Sequence, residues 1–254
     1  MKIVVTGKGG VGKTTIAGSL ARQLARQGSD VVAVDCDPSP NLGITLAMTP
    51  DEAEALEPVL NGLIASGYTH HDPKPAAEDL LDRFGVDVGD GVRLVATARI
   101  ERIPKACMCC GSHNTTRELF SDLSTEGRVV IADLEAGLND LLWTRPTAED
   151  VVVAVADTSA KAVEIARRAC VIAESMGVGR VVAVANRCND RRDAEKLFET
   201  TGVPVFALPE DAVVRRADHE GIAPLDADAT SAAMAAVGEL ASLLVPSPLS
   251  RQRA

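Results

Sequence analysis

Seven short apolar runs punctuate the chain at intervals too long for hairpins: Lys2–Thr6, Asp30–Asp35, Val92–Ala98, Arg128–Ala132, Asp150–Ala156, Arg180–Ala185 and Val203–Leu208. Each is rich in Val, Ile, Leu and Ala, as strands buried on both faces of a parallel sheet are. Between them the spacing changes to that of helices. Ile16, Leu20 and Leu24 share one face of a helix predicted over Thr14–Gln27, and a capped helix is expected over Thr49–Ala65, with Pro50 just inside its start and acids in its first turn. Further helices are expected over Ala76–Phe84, from about Asn114, and near Ser159, Arg191 and Ser231. Strand alternating with helix predicts a doubly wound α/β fold with a mostly parallel sheet.

Composition agrees. The 254 residues are 46 % hydrophobic and only 2 % aromatic, so the core must be aliphatic. The expected organisation is a single domain over residues 1–246, with a variable helical insertion at 48–91 and a polar tail at 247–254. A net charge of −10 argues against a protein that neutralises nucleic-acid phosphates. No apolar run reaches membrane-spanning length, the first residues already read as strand, and the tail lacks a basic amphipathic helix. A cytoplasmic protein without nucleic-acid or membrane anchorage is therefore expected.

The chemistry concentrates after the first strand. Gly7-Lys8-Gly9-Gly10-Val11-Gly12-Lys13-Thr14-Thr15 satisfies G-x-x-x-x-G-K-[ST] without mismatch, between a strand and a helix. Glycines let backbone N–H groups close on a polyphosphate; Lys13 supplies charge, and the Thr14 hydroxyl can ligate magnesium. At the end of the second strand stand Asp35-Cys36-Asp37-Pro38 and Asn41-Leu42. Asp133-Leu134-Glu135-Ala136-Gly137 ends the strand that begins at Arg128, an acid placed to hold magnesium through water. Both lie where an open α/β sheet binds ligands.

Of six cysteines, Cys36, Cys170 and Cys188 lie singly in or beside apolar stretches and read as small core residues. Three are clustered in Cys107-Met108-Cys109-Cys110-Gly111-Ser112-His113, on what reads as a loop before a helix. A Cys-x-Cys pair presents two thiolates to one soft or borderline ion, and a two-fold axis would complete four sulfur ligands. His70 and His71 are adjacent and poorly placed to share an ion, so they read as a solvated loop.

Lys8, directly after the first glycine, makes the phosphate loop resemble those of the deviant Walker A ATPases, which include partition and septum-site ATPases, nitrogenase iron protein and nickel-insertion ATPases. The resemblance implies ATP and Mg2+ as cofactors and a homodimer in which Lys8 reaches the partner's nucleotide. It also implies that Asp37 positions the attacking water, with Asp35 and Asp133 holding magnesium partly through water and Lys8, Lys13 and Asp37 serving catalysis. Asn186 and Arg187 resemble its adenine-reading pair, and Pro209-Glu210-Asp211 its loop over the base, Asp211 otherwise reading as a helix cap.

The cysteine run and the D-x-E-A-G form sharpen the resemblance to CooC-type nickel-insertion ATPases. This implies Ni2+ or Zn2+ held by Cys107 and Cys109 across the dimer, and a client metalloenzyme such as carbon monoxide dehydrogenase. Cys110 departs from the usual pattern and leaves Cys109 with Cys110, or a set including His113, as other ligand choices. Glu135 reads as tuning the second switch, as assisting metal delivery, or as a solvated acid. Three alternatives stand beside this one: a targeting or partitioning switch acting on a protein, a binding module without catalysis in which Asp37 and Asp133 would be idle, and iron-protein-like electron transfer. The latter family takes a second cysteine near the Asp133 segment, whereas residues 111–169 hold none.

Overall fold

A computed structural model describes residues 1–69, 71–73, 75–100 and 108–245, with the backbone alone for 108–113. Among them eight strands form one sheet: β1 (Lys2–Gly7), β2 (Asp30–Asp35), β3 (Val86–Asp87), β4 (Arg93–Ala96), β5 (Arg128–Asp133), β6 (Val151–Ala156), β7 (Arg180–Cys188) and β8 (Val205–Pro209). Their spatial order is β3-β4-β2-β5-β1-β6-β7-β8, parallel throughout except for the β3–β4 pair. β1 lies between β5 and β6, and Val5 is in register with both Asp133 and Val153. The central strands β1, β5 and β6 are buried almost throughout, and Val, Ile and Ala fill them.

Helices cover both faces. They are α1 (Lys13–Arg26), α2 (Leu42–Thr45), α3 (Pro50–Ala55), α4 (Val59–Ala65), α5 (Ala77–Phe84), α6 (Met108–Asp122), α7 (Asn139–Thr144), α8 (Ala160–Ser175), α9 (Arg191–Thr201), α10 (Ala212–Glu220), α11 (Pro224–Asp228) and α12 (Ala232–Leu244). The fold is the doubly wound α/β architecture expected from the alternation of patterns. Among the described residues no helix is long and apolar enough to cross a membrane.

Two local expectations are corrected. The helix expected over Thr49–Ala65 is two helices: Thr49 caps α3 through a reciprocal pair with Glu52, but the chain turns extended at Leu56 and restarts after Pro58. Proline disfavours helix at the preceding residue and cannot donate the bond that would continue it. The helix expected from about Asn114 begins at Met108, so Cys109 and Cys110 stand on helical backbone rather than a loop. The two-residue β3, with α2, α7, α10 and α11, was too short or too weakly patterned to read.

Interior polar contacts fasten the layers. The Arg22 guanidinium, with its side chain 4 % exposed, donates from Nε to Asp90 and from both Nη atoms to Asp226, tying α1 to α11 and to the turn before β4. Lys2 Nζ donates to the Phe120 and Ser121 carbonyls at the end of α6 and lies 5.1 Å from the Phe120 ring centroid. Burial lowers the pKa of that ammonium.

Candidate functional site

The carboxyl ends of β1, β2, β5 and β7 converge, and each contributes one of the predicted segments. Gly7 ends β1 with φ +150°, and a Cβ there would stand 2.3 Å from the Val155 carbonyl oxygen. Gly12 adopts a left-handed φ of +92° as the residue preceding α1, and its added Cβ would meet Asn186 Nδ2 at 2.5 Å. Only glycine suits either position. No side chain caps α1 and no acid lies in its first turn, so its N–H groups and positive dipole end stay available to an anion. Within the same loop Gly9 and Gly10 are exposed, Val11 and Lys13 are buried, and Lys8, Thr14 and Thr15 are half-buried.

Asp35 and Asp133 are register partners on adjacent strands, each about 1 % exposed. Asp35 accepts from the N–H groups of Asp37 (3.2 Å), Asn41 (3.0 Å) and Leu42 (2.9 Å), so it folds the segment that carries Asp37. Burial raises its pKa, against those three donors. Burial and the neighbouring Asp35 charge raise that of Asp133, against the Thr14 hydroxyl and the Lys13 charge. Asp37 is half-buried, and its Oδ1 accepts from Ser39 N–H at 2.8 Å.

The segment after β5 folds back on the phosphate loop. Gly137 N–H donates to the Gly7 carbonyl at 3.1 Å, and Thr6 Oγ1 donates to the Gly137 carbonyl at 3.2 Å. Glu135 N–H donates to Asp140 Oδ2 at 3.2 Å, which fixes the start of α7.

These residues fit magnesium. Asp133 Oδ1 is buried without a hydrogen-bond partner among the described residues, and the Thr14 hydroxyl favours the ionised form of that carboxyl. The available donors are all oxygens, the ligands a hard cation takes. Among the described residues no three His, Cys, Asp or Glu side chains converge to hold a metal alone. That is compatible with an ion bound together with phosphates, since magnesium uses few protein ligands.

The adenine-side residues are placed differently from one another. β7 loses register with β8 between Ala185 and Cys188, which turns Asn186 and Arg187 toward the loop, Arg187 with φ +57°. Asn186 Nδ2 donates to the Val11 carbonyl at 2.7 Å, its Oδ1 accepts from Arg187 N–H, and Arg187 Nη1 donates to the Gly10 carbonyl at 3.2 Å. Both side chains therefore clip the phosphate loop. Asp211 caps α10 through Val213 N–H and accepts from Ala233 N–H at the start of α12. Burial opposes the charge on Asp211, but these donors hold its carboxyl below the usual value. Beside Asn186, Arg187 and Pro209 opens a cleft whose further lining includes Leu208, Val214, Arg215, Met234 and Val237. Sequence reasoning missed these five as site residues, because which face α10 and α12 turn to the cleft cannot be known without the fold.

Cys107 and His70 lie outside the described residues, and of Cys109, Cys110 and His113 only the backbone of α6 is described. Cys36 and Cys170 are buried and Cys188 is half-buried. Burial pushes the Cys170 thiol to about 12 and the Cys188 thiol to about 11, away from thiolate chemistry.

A glycine loop entering a helix N-terminus, flanked by two strand-end acids on a parallel sheet, defines a P-loop nucleotide-binding protein. Residues 2–225 match the family described as the CobQ/CobB/MinD/ParA nucleotide binding domain, and the chain belongs to that family. It is an ATPase of the ParA/MinD type. The chain is 29 % identical over 238 residues to the carbon monoxide dehydrogenase accessory protein CooC of Rhodospirillum rubrum, covering 89 % of this chain and 90 % of that relative. It is also 29 % identical over 245 residues to an uncharacterized ATP-binding protein of Methanocaldococcus jannaschii, covering 91 % and 93 %. Among solved structures, a ParA family ATPase from Chlorobium tepidum superposes with a TM-score of 0.70 at 18 % identity, covering 94 % of this chain and 96 % of that one. The septum site-determining protein MinD from Pyrococcus horikoshii, complexed with Mg-ADP, superposes with 0.67 at 20 % identity, covering 100 % and 98 %. These last two likenesses show the fold.

Proposed function

We propose that this ATPase is a dimeric, cytoplasmic metallochaperone that uses ATP to assist nickel insertion into a client metalloenzyme, of which carbon monoxide dehydrogenase is the model. The observation that carries this reading is the run Cys107-Met108-Cys109-Cys110 in a chain 29 % identical, over 89 % of its length, to an accessory protein of that enzyme. Residues 1–246 act as one ATPase domain and 247–254 as a polar tail.

In this reading the N–H groups of Gly9 to Thr15 bind the phosphates and Lys13 balances their charge. Lys8 extends to the nucleotide of the partner, so occupancy favours the dimer. Asp37 orients the attacking water, and Asp35 holds Asp37 in place through its N–H. Thr14, Asp35 and Asp133 would hold magnesium, which when bound supplies positive charge against the charge developing on the transferred phosphoryl group. Asn186, Arg187, Pro209 and Asp211 shape the adenine side, the first two by fixing the loop backbone and Asp211 by fixing α10 and α12. The cargo, a nickel or zinc ion, is held by the thiolates of Cys107 and Cys109 from both protomers.

Metal content per chain tests the reading, measured by mass spectrometry on protein purified without oxygen and loaded with nickel in ADP, beside a Cys107→Ser/Cys109→Ser variant. About half an ion of nickel or zinc per chain, lost in the variant and accompanied by dimerisation, is expected. Roughly two irons per chain would replace it with an electron-transfer role. No metal would leave a targeting or partitioning switch that acts on a protein partner.

A further inference from the structure

The chain that leaves β4, Thr97 to Ile100, runs between the segment that carries Asp37 and α4, and it is hydrogen-bonded to both. Toward the first, Thr97 N–H donates to the Asp35 carbonyl at 2.9 Å and Ile100 N–H donates to the Pro38 carbonyl at 3.0 Å. Toward the second, Leu60 N–H donates to the Thr97 carbonyl at 3.0 Å. The Asn61 side-chain amide then pairs with the Arg99 backbone in both directions: Nδ2 donates to the carbonyl at 3.0 Å, and Oδ1 accepts from the N–H at 2.9 Å. Asn61 thus does for Arg99 what a neighbouring strand would do.

The bond from Ile100 acts on Asp37 through one peptide group. The Pro38 carbonyl and the Ser39 N–H belong to the same planar trans unit and point to opposite sides of it, so fixing one fixes the other. The Pro38 ring sets φ, which leaves rotation about its ψ as the motion that swings this plane. Ile100 N–H holds the carbonyl side, and on the other side Ser39 N–H donates to Asp37 Oδ1 at 2.8 Å. The Asp37 carboxylate is therefore aimed by a peptide held from the exit of β4, and Asn61 holds the residue immediately before Ile100. Each link from Asn61 to Asp37 is a hydrogen bond of 2.8–3.0 Å, and linked hydrogen bonds of this kind reinforce one another.

We propose that Asn61 is a positioning residue for ATP hydrolysis: by pairing with Arg99 it keeps Ile100 N–H on the Pro38 carbonyl, and thereby keeps the Asp37 carboxylate aimed at the attacking water. The inference rests on the reading of Asp37 as the residue that orients that water. Without the Asn61 pair the phosphate loop is unchanged but the Pro38–Ser39 peptide can turn, so turnover falls while nucleotide binding does not.

The test is steady-state ATP hydrolysis by the full chain with Asn61→Leu, which keeps the size and loses both bonds, and Asn61→Asp, which keeps the acceptor for Arg99 N–H. Asn61→Leu is expected to lower kcat by about fivefold with KM for ATP within about twofold of wild type, and Asn61→Asp to fall between Asn61→Leu and wild type. Thermal melting checks that both variants are folded, and Asn61→Asp carries the comparison if Asn61→Leu is not. In an Asp37→Ala background Asn61→Leu should cause no further loss, because residues that act as one unit are not additive. Unchanged kcat in Asn61→Leu where Asp37→Ala is inactive would overturn the proposal and leave the role of Asp37 standing. A matching rise in KM, or an equal loss of kcat in Asp226→Asn, which loosens the fold at Arg22 instead, would overturn it too. Retained kcat in Asp37→Ala would overturn the role given to Asp37, and the proposal with it.

Discussion

Asp35 and Asp133 stand opposite each other on neighbouring parallel strands, both buried, with the Thr14 hydroxyl and the Lys13 charge favouring ionised Asp133. Two carboxyls in one dry site resist simultaneous ionisation, and a cation relieves them.

Nucleotide-free protein should therefore be stabilised by Asp133→Asn. A carboxyl raised in the folded state contributes its full stability below its ordinary value of 3.8 and loses it as pH rises through the folded value. The gain should be on the order of 1 kcal/mol at about pH 8 and smaller near pH 5, read from urea midpoints without magnesium. The same variant should lose ATP hydrolysis. A gain that is flat with pH would mean that Asp133 does not carry the strain.

Gly12→Ala should abolish nucleotide binding, because its Cβ meets Asn186 Nδ2 at 2.5 Å and the left-handed backbone is itself unfavourable. Adding Asn186→Ala removes the clash but not the backbone penalty of about 1–2 kcal/mol, so the double variant should recover only part of the affinity. Asn186→Ala alone should weaken nucleotide binding by about tenfold through loss of the bond to the Val11 carbonyl. Titration calorimetry distinguishes the three.

The Arg22 cluster predicts a different pH dependence. Asp226→Asn leaves a buried guanidinium short of a partner and should cost about 1–3 kcal/mol in urea unfolding, with ATP turnover unchanged in the folded protein. Burial opposes ionisation of Asp90, but Arg26 and Arg22 outweigh it and hold the carboxyl below its usual range. Its stabilisation is thus present above pH 3.8 and lost as pH falls through the lower folded value. Asp90→Asn should flatten that acid limb.

If Cys107 and Cys109 hold metal across the dimer, nickel should change ATP turnover in wild type. Reciprocally, ATP should change nickel affinity by the same factor that nickel changes ATP affinity. Turnover measured across a nickel titration, with and without Cys107→Ser/Cys109→Ser, checks both.

Much of the molecule was legible in the chain because its signals are local. The glycine run from Gly7 to Gly12 states its own backbone requirement, the apolar runs state their burial on both faces, and Thr49 with Glu52 state a helix start. Pro58 is an equally local signal, and it ends the helix that the acids after Thr49 begin. The start of α6 was misplaced because Gly111, Ser112 and His113 look like loop residues. Their propensities are weak priors that packing overrides.

What the sequence determined by itself is the inventory: a phosphate loop between strand and helix, two acids at strand ends, an aliphatic core and a clustered set of thiols. What tertiary structure alone decided is which of these meet. Strand order places β2 beside both β5 and β4, so Asp35 faces Asp133, Thr97 N–H reaches the Asp35 carbonyl, and Thr116 of α6 reaches Thr97. A break of register in β7 turned Asn186 and Arg187 onto the loop they clip. Such meetings depend on which strand pairs with which, a choice made by the burial of the whole sheet and written in no single stretch of the chain.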